Sequence, residues 1–466
     1  ELLQKNGHTA YWAGGCVRDV LLGIRPKDYD IATSAHPEQI EKLLEKTIPI
    51  GRDFGVILAI VNGHHFEIAT FRRDSEDSDG RRPSKVHFTD AEEDAKRRDF
   101  TINGLFYDPI ADKIIDYVEG QKDLEARLVR FIGDSEKRIQ EDHLRILRAI
   151  RMKNAFDFQY HPDTYVAIKK NAKLAGKVSS ERIRDELNKM IEKKNMRKAF
   201  EDMEDTGVLE VILPELVRLK GLAQPYEFHQ EGDVWEHAMR SVEALPDDAS
   251  IEVRWATLLH DIGKFDTFKV AERIRYDGHA SRSRDIARDI LTRLNFSRKF
   301  VENVCWIVEH HMSIVQLLEM PLARRRHWFL NPEFGNLLEV FRADALGTIP
   351  GDLTLYEKVV AQYTKDLTEM PVRPPQLLDG KEIMTATGLP PGHAIGEILE
   401  KIHELQLAGK ITTKEEALKE IQNLEIPNLT NISSPSKTRT SDSGEPQKSR
   451  APKVKGGSRK SNQKSE

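Results

Sequence analysis

Cysteine is almost absent. Cys16 and Cys305 are the only two in 466 residues, which excludes a disulfide framework and a cysteine zinc site and points to a reducing, cytoplasmic compartment. Long apolar runs are missing too: no stretch approaches the ~20 residues of a membrane span, so no membrane partner is expected. No signal-peptide pattern opens the chain, which begins at Glu1 rather than Met. Nor is there an excess of positive charge. A net charge of −5 excludes a generally basic nucleic-acid binder, so any contact with RNA must come from local patches. No repeat period signals a solenoid, and nothing in the sequence sets the oligomeric state. What is left is a chain with 39% hydrophobic residues, a normal content for packed cores.

Up to about residue 135 the pattern is mixed. Val56–Val61 and Phe66–Phe71 are β-rich runs separated by Asn62-Gly63, a strong hairpin signal. Arg72–Lys85 is charged, contains Gly and Pro, and reads as a solvated loop. From about Asp134 the pattern becomes helical. Leu144, Ile146, Leu147 and Ile150 recur at helical spacing, as do Ile183, Leu187 and Ile191. Helical signal continues to about Asn423, broken near Pro214, Pro246, Pro332 and Pro350. From about Ser433 the chain is rich in Ser, Lys, Arg, Pro and Gly with almost nothing apolar, and a disordered basic tail is expected.

Chemistry concentrates first in Ala13–Ser34, AGGCVRDVLLGIRPKDYDIATS. In Asp28-Tyr29-Asp30 a strand would project both carboxylates onto one face. Paired hard oxygen ligands suit Mg²⁺, which takes one or two carboxylates plus substrate phosphates. Gly14-Gly15 ahead of a helix lets backbone N–H groups approach a triphosphate. A solvated turn would account for an isolated D-x-D. The coincidence of the glycines, Arg18-Asp19 and the apolar frame favours nucleotidyl transfer. Cys16 beside the glycines reads as a small buried filler.

The segment resembles the signature of the class II tRNA nucleotidyltransferase / poly(A) polymerase family, part of the polymerase-β-like superfamily. Further segments match that family in order: RRDFTINGL (Arg97–Leu105), D-x-x-x-G-x-x-D-L (Asp116–Leu124), EDHLRILRAIR (Glu141–Arg151) and SERIRDEL (Ser180–Leu187). The resemblance implies that Asp28 and Asp30 hold Mg²⁺ and that a third carboxylate lies on a neighbouring strand. Glu67 in Phe66-Glu67-Ile68 has the expected setting; an exposed strand glutamate opposite His65 is the alternative. It also implies contacts of Arg98, Asp99 and Asn103 to nucleotide sugar and phosphate, and a coupling role for the segment of Asp116 and Asp123. Arg182 and Glu186 are expected to brace the neck helix.

Asp142 and Arg145 are three apart, which on one helix sets them on one face. Cytosine and adenine both present an amino donor beside a ring-nitrogen acceptor. A carboxylate and a guanidinium together accept that edge and reject uracil and guanine. In the class II enzymes that this chain resembles, the Asp and Arg of this motif act as such a protein template. An ordinary surface ion pair is the alternative.

A second constellation comprises His237, His260-Asp261 in HDIGK, and Asp344. It resembles the HD metal-dependent phosphohydrolase domain. His279 and His310-His311 match the extra histidines of HD domains that bind two metals or hold the phosphate. Histidine-rich sites suit Mn²⁺, Co²⁺ or Ni²⁺. A scaffold without catalysis is the alternative.

The expected fold class is α+β: a polymerase-β-like head with a small mixed sheet, then an all-α neck and body and an all-α HD domain. The expected boundaries are a head at 1–135, neck and body at 136–225, HD domain at 226–350, C-terminal helices at 351–425 and tail at 426–466. The expected activity is template-independent addition of C, C and A to a tRNA 3′ end from CTP and ATP, with a second, phosphohydrolase activity open at the HD site. Alternatives are CC-only or A-only addition, polyadenylation, or an RNA-end phosphohydrolase whose head merely binds RNA.

Overall fold

Asn62 and Gly63 both take positive φ, 53° and 78°, and close a two-residue hairpin in which Val61 pairs with His64. That hairpin belongs to a set of nine strands that opens the chain in a computed structural model describing residues 1–74, 86–193, 195–370 and 372–423. Most of the charged loop at Arg72–Lys85 and the expected basic tail lie outside the described residues.

The strands are β1 (Ala10–Ala13), β2 (Ile31–Thr33), β3 (Thr47–Gly51), β4 (Val56–Val61), β5 (His64–Thr70), β6 (Arg72–Asp74), β7 (Val86–Phe88), β8 (Phe106–Asp108) and β9 (Lys113–Ile115). Seven form one mixed sheet in the order β3-β4-β5-β2-β1-β8-β9, while β6 and β7 pair separately. Within that sheet, among the described residues, only β2 and β5 run parallel, with Ile31 opposite Ile68. One apolar cluster joins Ile40, Ile57 and Ile68; another joins Ala13, Ala32, Phe71 and Phe106.

Beyond the sheet the chain is helical, as the periodicity predicts. Leu147, Ile150, Leu187 and Ile191 are fully buried, and their core continues without a break into the helices that follow. Helices at Val234–Glu243, Ile251–Leu259, His279–Arg293, Arg298–His310 and Phe334–Gly347 carry the histidine constellation or flank it. Two short pairings depart from the all-α expectation: Leu128–Val129 with Gln159–Tyr160, and Lys269–Val270 with Ile274–Arg275. Two-residue strands carry no readable alternation, so periodicity misses them.

The chain divides into two compact units. Among the described residues, Glu1–Pro375 with Glu404–Lys410 form the first, and Gln376–His403 with 411–423 form the second. The second has its own buried residues, including Ile383, Ile398 and Ile421, and a helix start at Asp379 whose carboxylate accepts from the Lys381 and Glu382 N–H groups. Among the described residues no helix is long and apolar enough to cross a membrane.

Candidate active site and candidate metal centre

Asp28-Tyr29-Asp30 precedes a strand rather than lying in one, which corrects the expectation. The ladder of β2 begins only at Ile31, and of the triplet the Asp30 carbonyl accepts from Ala13 N–H at 3.0 Å. Alternation survives locally. Tyr29 packs on the ring of Trp12, 4.9 Å between centroids, and Asp28 and Asp30 on either side stay exposed. On β5, one residue before Ile68, Glu67 stands beside Asp30 and is exposed as well. The Asp30 carboxyl is raised above its ordinary value, by desolvation first, then by Glu67 and Asp28 against the pull of Arg98. Glu67 and Asp28 thus both act on Asp30, with Arg98 as the opposing charge.

Gly14 has φ 73°, and a Cβ there would stand 2.7 Å from Arg98 Nη1, so glycine is required. Its N–H, expected to face phosphate, is committed to the Leu105 carbonyl at 2.9 Å. Cys16 is buried, with Sγ 3.3 Å from the Ala13 carbonyl.

Arg18, Arg98, Asp99 and Asn103 are brought together, and they are largely bonded to protein partners. Arg18 is buried. It donates to Asp19 at 2.9 and 2.6 Å and to Asn103 Oδ1 at 2.5 Å, and it lies 4.4 Å over the Phe156 ring. Asn103 donates to Asp99 Oδ1 at 3.0 Å, and Asp99 Oδ2 accepts from Arg148 at 2.8 and 2.5 Å. Burial works against the Asp99 carboxylate, but Arg148 and the Asn103 hydrogen bond hold its pKa well below the usual range. Arg98 is anchored on the buried Asp94 at 3.0 Å. The result is a polar relay from the Gly14 turn to the helix Arg145–Phe156. Arg148 and Asp94, which complete it, were not singled out from sequence. Their partners are distant in the chain or part of a charge-rich run.

EDHLRILRAIR is not one helix. A helix ends at Glu141, Asp142 is extended with φ −151°, and the next helix begins at Arg145. Asp142 explains the break, because its Oδ1 accepts from Leu144 N–H at 3.1 Å, a local bond that competes with helix continuation. Asp142 and Arg145 form no ion pair with each other. Arg182 holds Asp142 at 2.7 Å, and Glu141 holds the buried Arg145 at 2.6 Å. Glu186 takes Arg151 at 2.5 Å. Asp116 accepts from the Val118, Gly120 and Gln121 N–H groups, and the buried Asp123 accepts from Thr101 at 2.6 Å and Arg130 at 2.8 Å.

In the helical part, His237, His260, Asp261, His279, His311 and Asp344 converge. His237 Nε2 lies 2.9 Å from Asp344 Oδ1 and 3.6 Å from Asp261 Oδ2; His260 Nε2 is 3.2 Å from Asp261 Oδ2. On the other side, Asp261 Oδ1 is 3.4 Å from His279 Nε2 and 3.9 Å from His311 Nε2. His237 and His260 are fully buried, and Asp261 and His311 nearly so. His310, though adjacent to His311, is not brought into the cluster. Successive helical residues do not face each other, and its ring packs between Trp306 and Trp328.

The Nδ1 atoms are all committed: His260 to the Thr257 carbonyl, His279 to that of Tyr276, His311 to that of Val308, and His237 to the Glu231 carboxylate. Those acceptors place the proton on Nδ1 and leave Nε2 a lone pair aimed at the carboxylates. The Nε2 atoms of His237 and His260 are buried with no hydrogen-bond partner. Nitrogens and carboxylates facing one another at such distances call for positive charge among them, either a proton on an imidazole or a bound cation, and the donor set is that of a metal-binding cluster. Burial opposes charge on His260, yet Asp261 and Asp344 lift it to about 10. Burial and the neighbouring His260 push His311 down to about 4. Sequence reasoning missed Glu231, His229 beside it, and Lys264, whose Nζ reaches Asp261 at 2.7 Å. Lys264 stood in HDIGK and was the one with a signal.

Residues 10–130 match the poly(A) polymerase head domain, 157–219 the probable RNA and SrmB-binding site of polymerase A, and 233–333 the HD domain. The chain is 29% identical over 425 residues to the CCA-adding enzyme of Ligilactobacillus salivarius, covering 90% of this chain and 93% of that one. It is 44% identical over 211 residues to the CCA-adding enzyme of Lactobacillus johnsonii, an alignment covering 45% of this chain and about half, 53%, of that one. The crystal structure of the Bacillus stearothermophilus CCA-adding enzyme in complex with CTP superposes with a TM-score of 0.65 at 27% identity, covering 91% of this chain and 94% of that one. Together with the carboxylates beside the Gly14 turn and the buried His/Asp cluster, these matches show that the chain belongs to the class II tRNA nucleotidyltransferase family, carrying a poly(A) polymerase head, an RNA-binding region and an HD domain in that order.

Proposed function

We propose that this protein adds C, C and A to the 3′ end of tRNA from CTP and ATP, releasing pyrophosphate, without a nucleic-acid template. The observation that carries the reading is the grouping of Asp28, Asp30 and Glu67 beside the Gly14 turn and Arg98. Mutually repelling carboxylates at an open rim suit Mg²⁺, and these three would hold it. Bound there, Mg²⁺ supplies charge neutralisation for the attacking and leaving oxygens of an in-line displacement.

Base selection falls to Asp142 and Arg145. Arg182 and Glu141 hold them in place, which favours a rigid template over a surface ion pair. Asp142 keeps acceptor capacity for an exocyclic amino group, and Arg145 offers donors to a ring nitrogen. Arg18, Asp99 and Asn103 act mainly by tying the head to the neck helix, and Arg98 stays nearest the proposed triphosphate position. We assign these parts to a head at 1–135 and a neck and body at 136–225.

The test is incubation of the protein with tRNA ending at the discriminator base and CTP, ATP or both, followed by 3′-end sequencing. Ordered C, C and A confirm the reading; A-tracts with ATP alone, or arrest after CC, replace it with polyadenylation or partial addition.

A second activity at 226–350 is favoured by the buried His/Asp cluster: phosphoester hydrolysis with Mn²⁺, Co²⁺ or Ni²⁺ held by His237, His260, Asp261, Asp344, His279 and His311. Lys264, buried against Asp261, adds a cation for a phosphate oxygen. A 2′,3′-cyclic phosphate at an RNA end is the substrate to try, assayed with each metal in turn. No hydrolysis and no tight metal uptake would make the region scaffold.

A further inference from the structure

His237 is held differently from the other imidazoles of the cluster. His260, His279 and His311 each direct Nδ1 at a main-chain carbonyl, at 2.8, 2.9 and 2.7 Å. His237 directs Nδ1 at a carboxylate, Glu231 Oε1, at 3.0 Å. The Glu231 side chain is wholly enclosed. Its Oε1 also meets His229 Nδ1 at 2.7 Å, and its Oε2 accepts the Ile349 N–H at 2.8 Å. The carboxylate is thus fixed from three directions, and no motif marked it. A full negative charge behind an imidazole makes the far nitrogen a stronger donor than a carbonyl dipole does.

The two halves of the cluster also differ in donors. His237, His260 and Asp261 Oδ2 converge, with Asp344 Oδ1 2.9 Å from His237. The other half has His279 and His311 with the remaining oxygen, Asp261 Oδ1.

We propose that the cluster takes two divalent ions with unequal affinity, and that Glu231 is the positioning residue that makes the His237 half the tighter, first-filled site. This rests on the metal-centre reading above. Glu231 touches neither ion. It fixes the His237 tautomer and ring direction and raises the basicity of Nε2.

The experiment is a Co²⁺ titration of the full chain, read by visible absorption and calorimetry, in an Asp30→Ala background that removes a competing carboxylate. Two steps of different affinity are expected. Glu231→Ala should weaken the first about 10–100-fold and leave the second in place. Glu231→Gln, which keeps an acceptor for Nδ1 and loses the charge, should fall between. Circular dichroism and nucleotide addition by Glu231→Ala with Asp30 restored report folding; if Ala fails to fold, Gln carries the test. Equal steps in the parent, an unchanged first step in both variants, or equal weakening of both steps would overturn the proposal. So would a third equivalent lost in His229→Ala, which would make Glu231 a ligand. No Co²⁺ uptake by the parent chain would instead sink the metal-centre reading itself.

Discussion

The carboxylates ahead of β2 and those among the HD-region helices differ in everything that surrounds them. Asp28 and Asp30, just ahead of β2, and Glu67, in the middle of β5, are exposed; their only potential metal ligands are oxygens, with Arg98 as the opposing charge. Asp261 lies inside a helical core, ringed by imidazoles whose rear nitrogens are tied to main-chain carbonyls or to Glu231. The first arrangement is open to solvent, as the proposed entry of a nucleotide and an RNA end demands. The second is largely built before any ligand arrives. An open rim depends on substrate and Mg²⁺ for completion, whereas an enclosed cluster is a preorganised chelator.

The sharpest way to break this contrast is to remove one set of ligands and read both sites. Asp28→Ala or Asp30→Ala should lower nucleotide addition by about 10²–10³-fold or more, because each removes stabilisation of developing charge. Co²⁺ uptake by the buried cluster should be unchanged. Near-normal incorporation by both variants at saturating Mg²⁺ would remove the assignment.

The mirror experiment comes next. His260→Ala or Asp261→Ala should abolish metal-dependent phosphoester hydrolysis and leave CCA addition within a few-fold. Equal losses of both activities would mean that the two regions do not work separately.

How legible each site was follows from the same contrast. The His/Asp cluster was readable because its ligand types are rare on buried helix faces, and all but His310 converge. His310 failed because adjacency in sequence is divergence on a helix. The supporting groups were not readable, since Glu231 and His229 sit in an irregular stretch before a helix, where no periodicity marks them. In the head, the hairpin at Asn62-Gly63 and the β-rich runs on either side of it carried the fold, and beyond the head the apolar periodicities did. A strand through Asp28-Tyr29-Asp30 would begin three residues ahead of the observed start at Ile31, a boundary that depends on tertiary pairing with β1. The break at Asp142 was missed because helical spacing continues through it, and only the carboxylate bond to Leu144 N–H reveals the interruption.

That break makes the proposed base template depend on Arg182. Arg182→Ala should free Asp142 and reduce discrimination against UTP and GTP about 10-fold, a smaller effect than Asp142→Ala or Arg145→Ala, which each remove a polar group that pairs with the base. Misincorporation measured with each nucleotide alone checks the order. If Asp142→Ala and Arg145→Ala lose rate but keep discrimination, the template role belongs elsewhere, and the head site is open in a different sense from the one argued.

The smallest effect concerns what holds the open rim together. Arg148 and Asp99 join the neck helix to the head, with a third of the Arg148 side chain open to solvent. Arg148→Ala should cost about 1–3 kcal/mol, toward the low end because solvent screens the pair. It should raise the KM for nucleotide and leave Co²⁺ affinity unchanged, since the buried cluster uses no part of this relay. The sign of the pH dependence follows from Asp99, whose folded pKa is depressed. Its contribution is present above its unfolded value of about 3.9 and is lost as pH falls toward the folded value. Urea unfolding of parent and Arg148→Ala chains should therefore differ most above about pH 5, and the difference should shrink progressively as pH falls below about 4 toward the depressed folded value. A difference that stays constant down to that range would show that Arg148 stabilises by packing alone, and the relay would lose its electrostatic character.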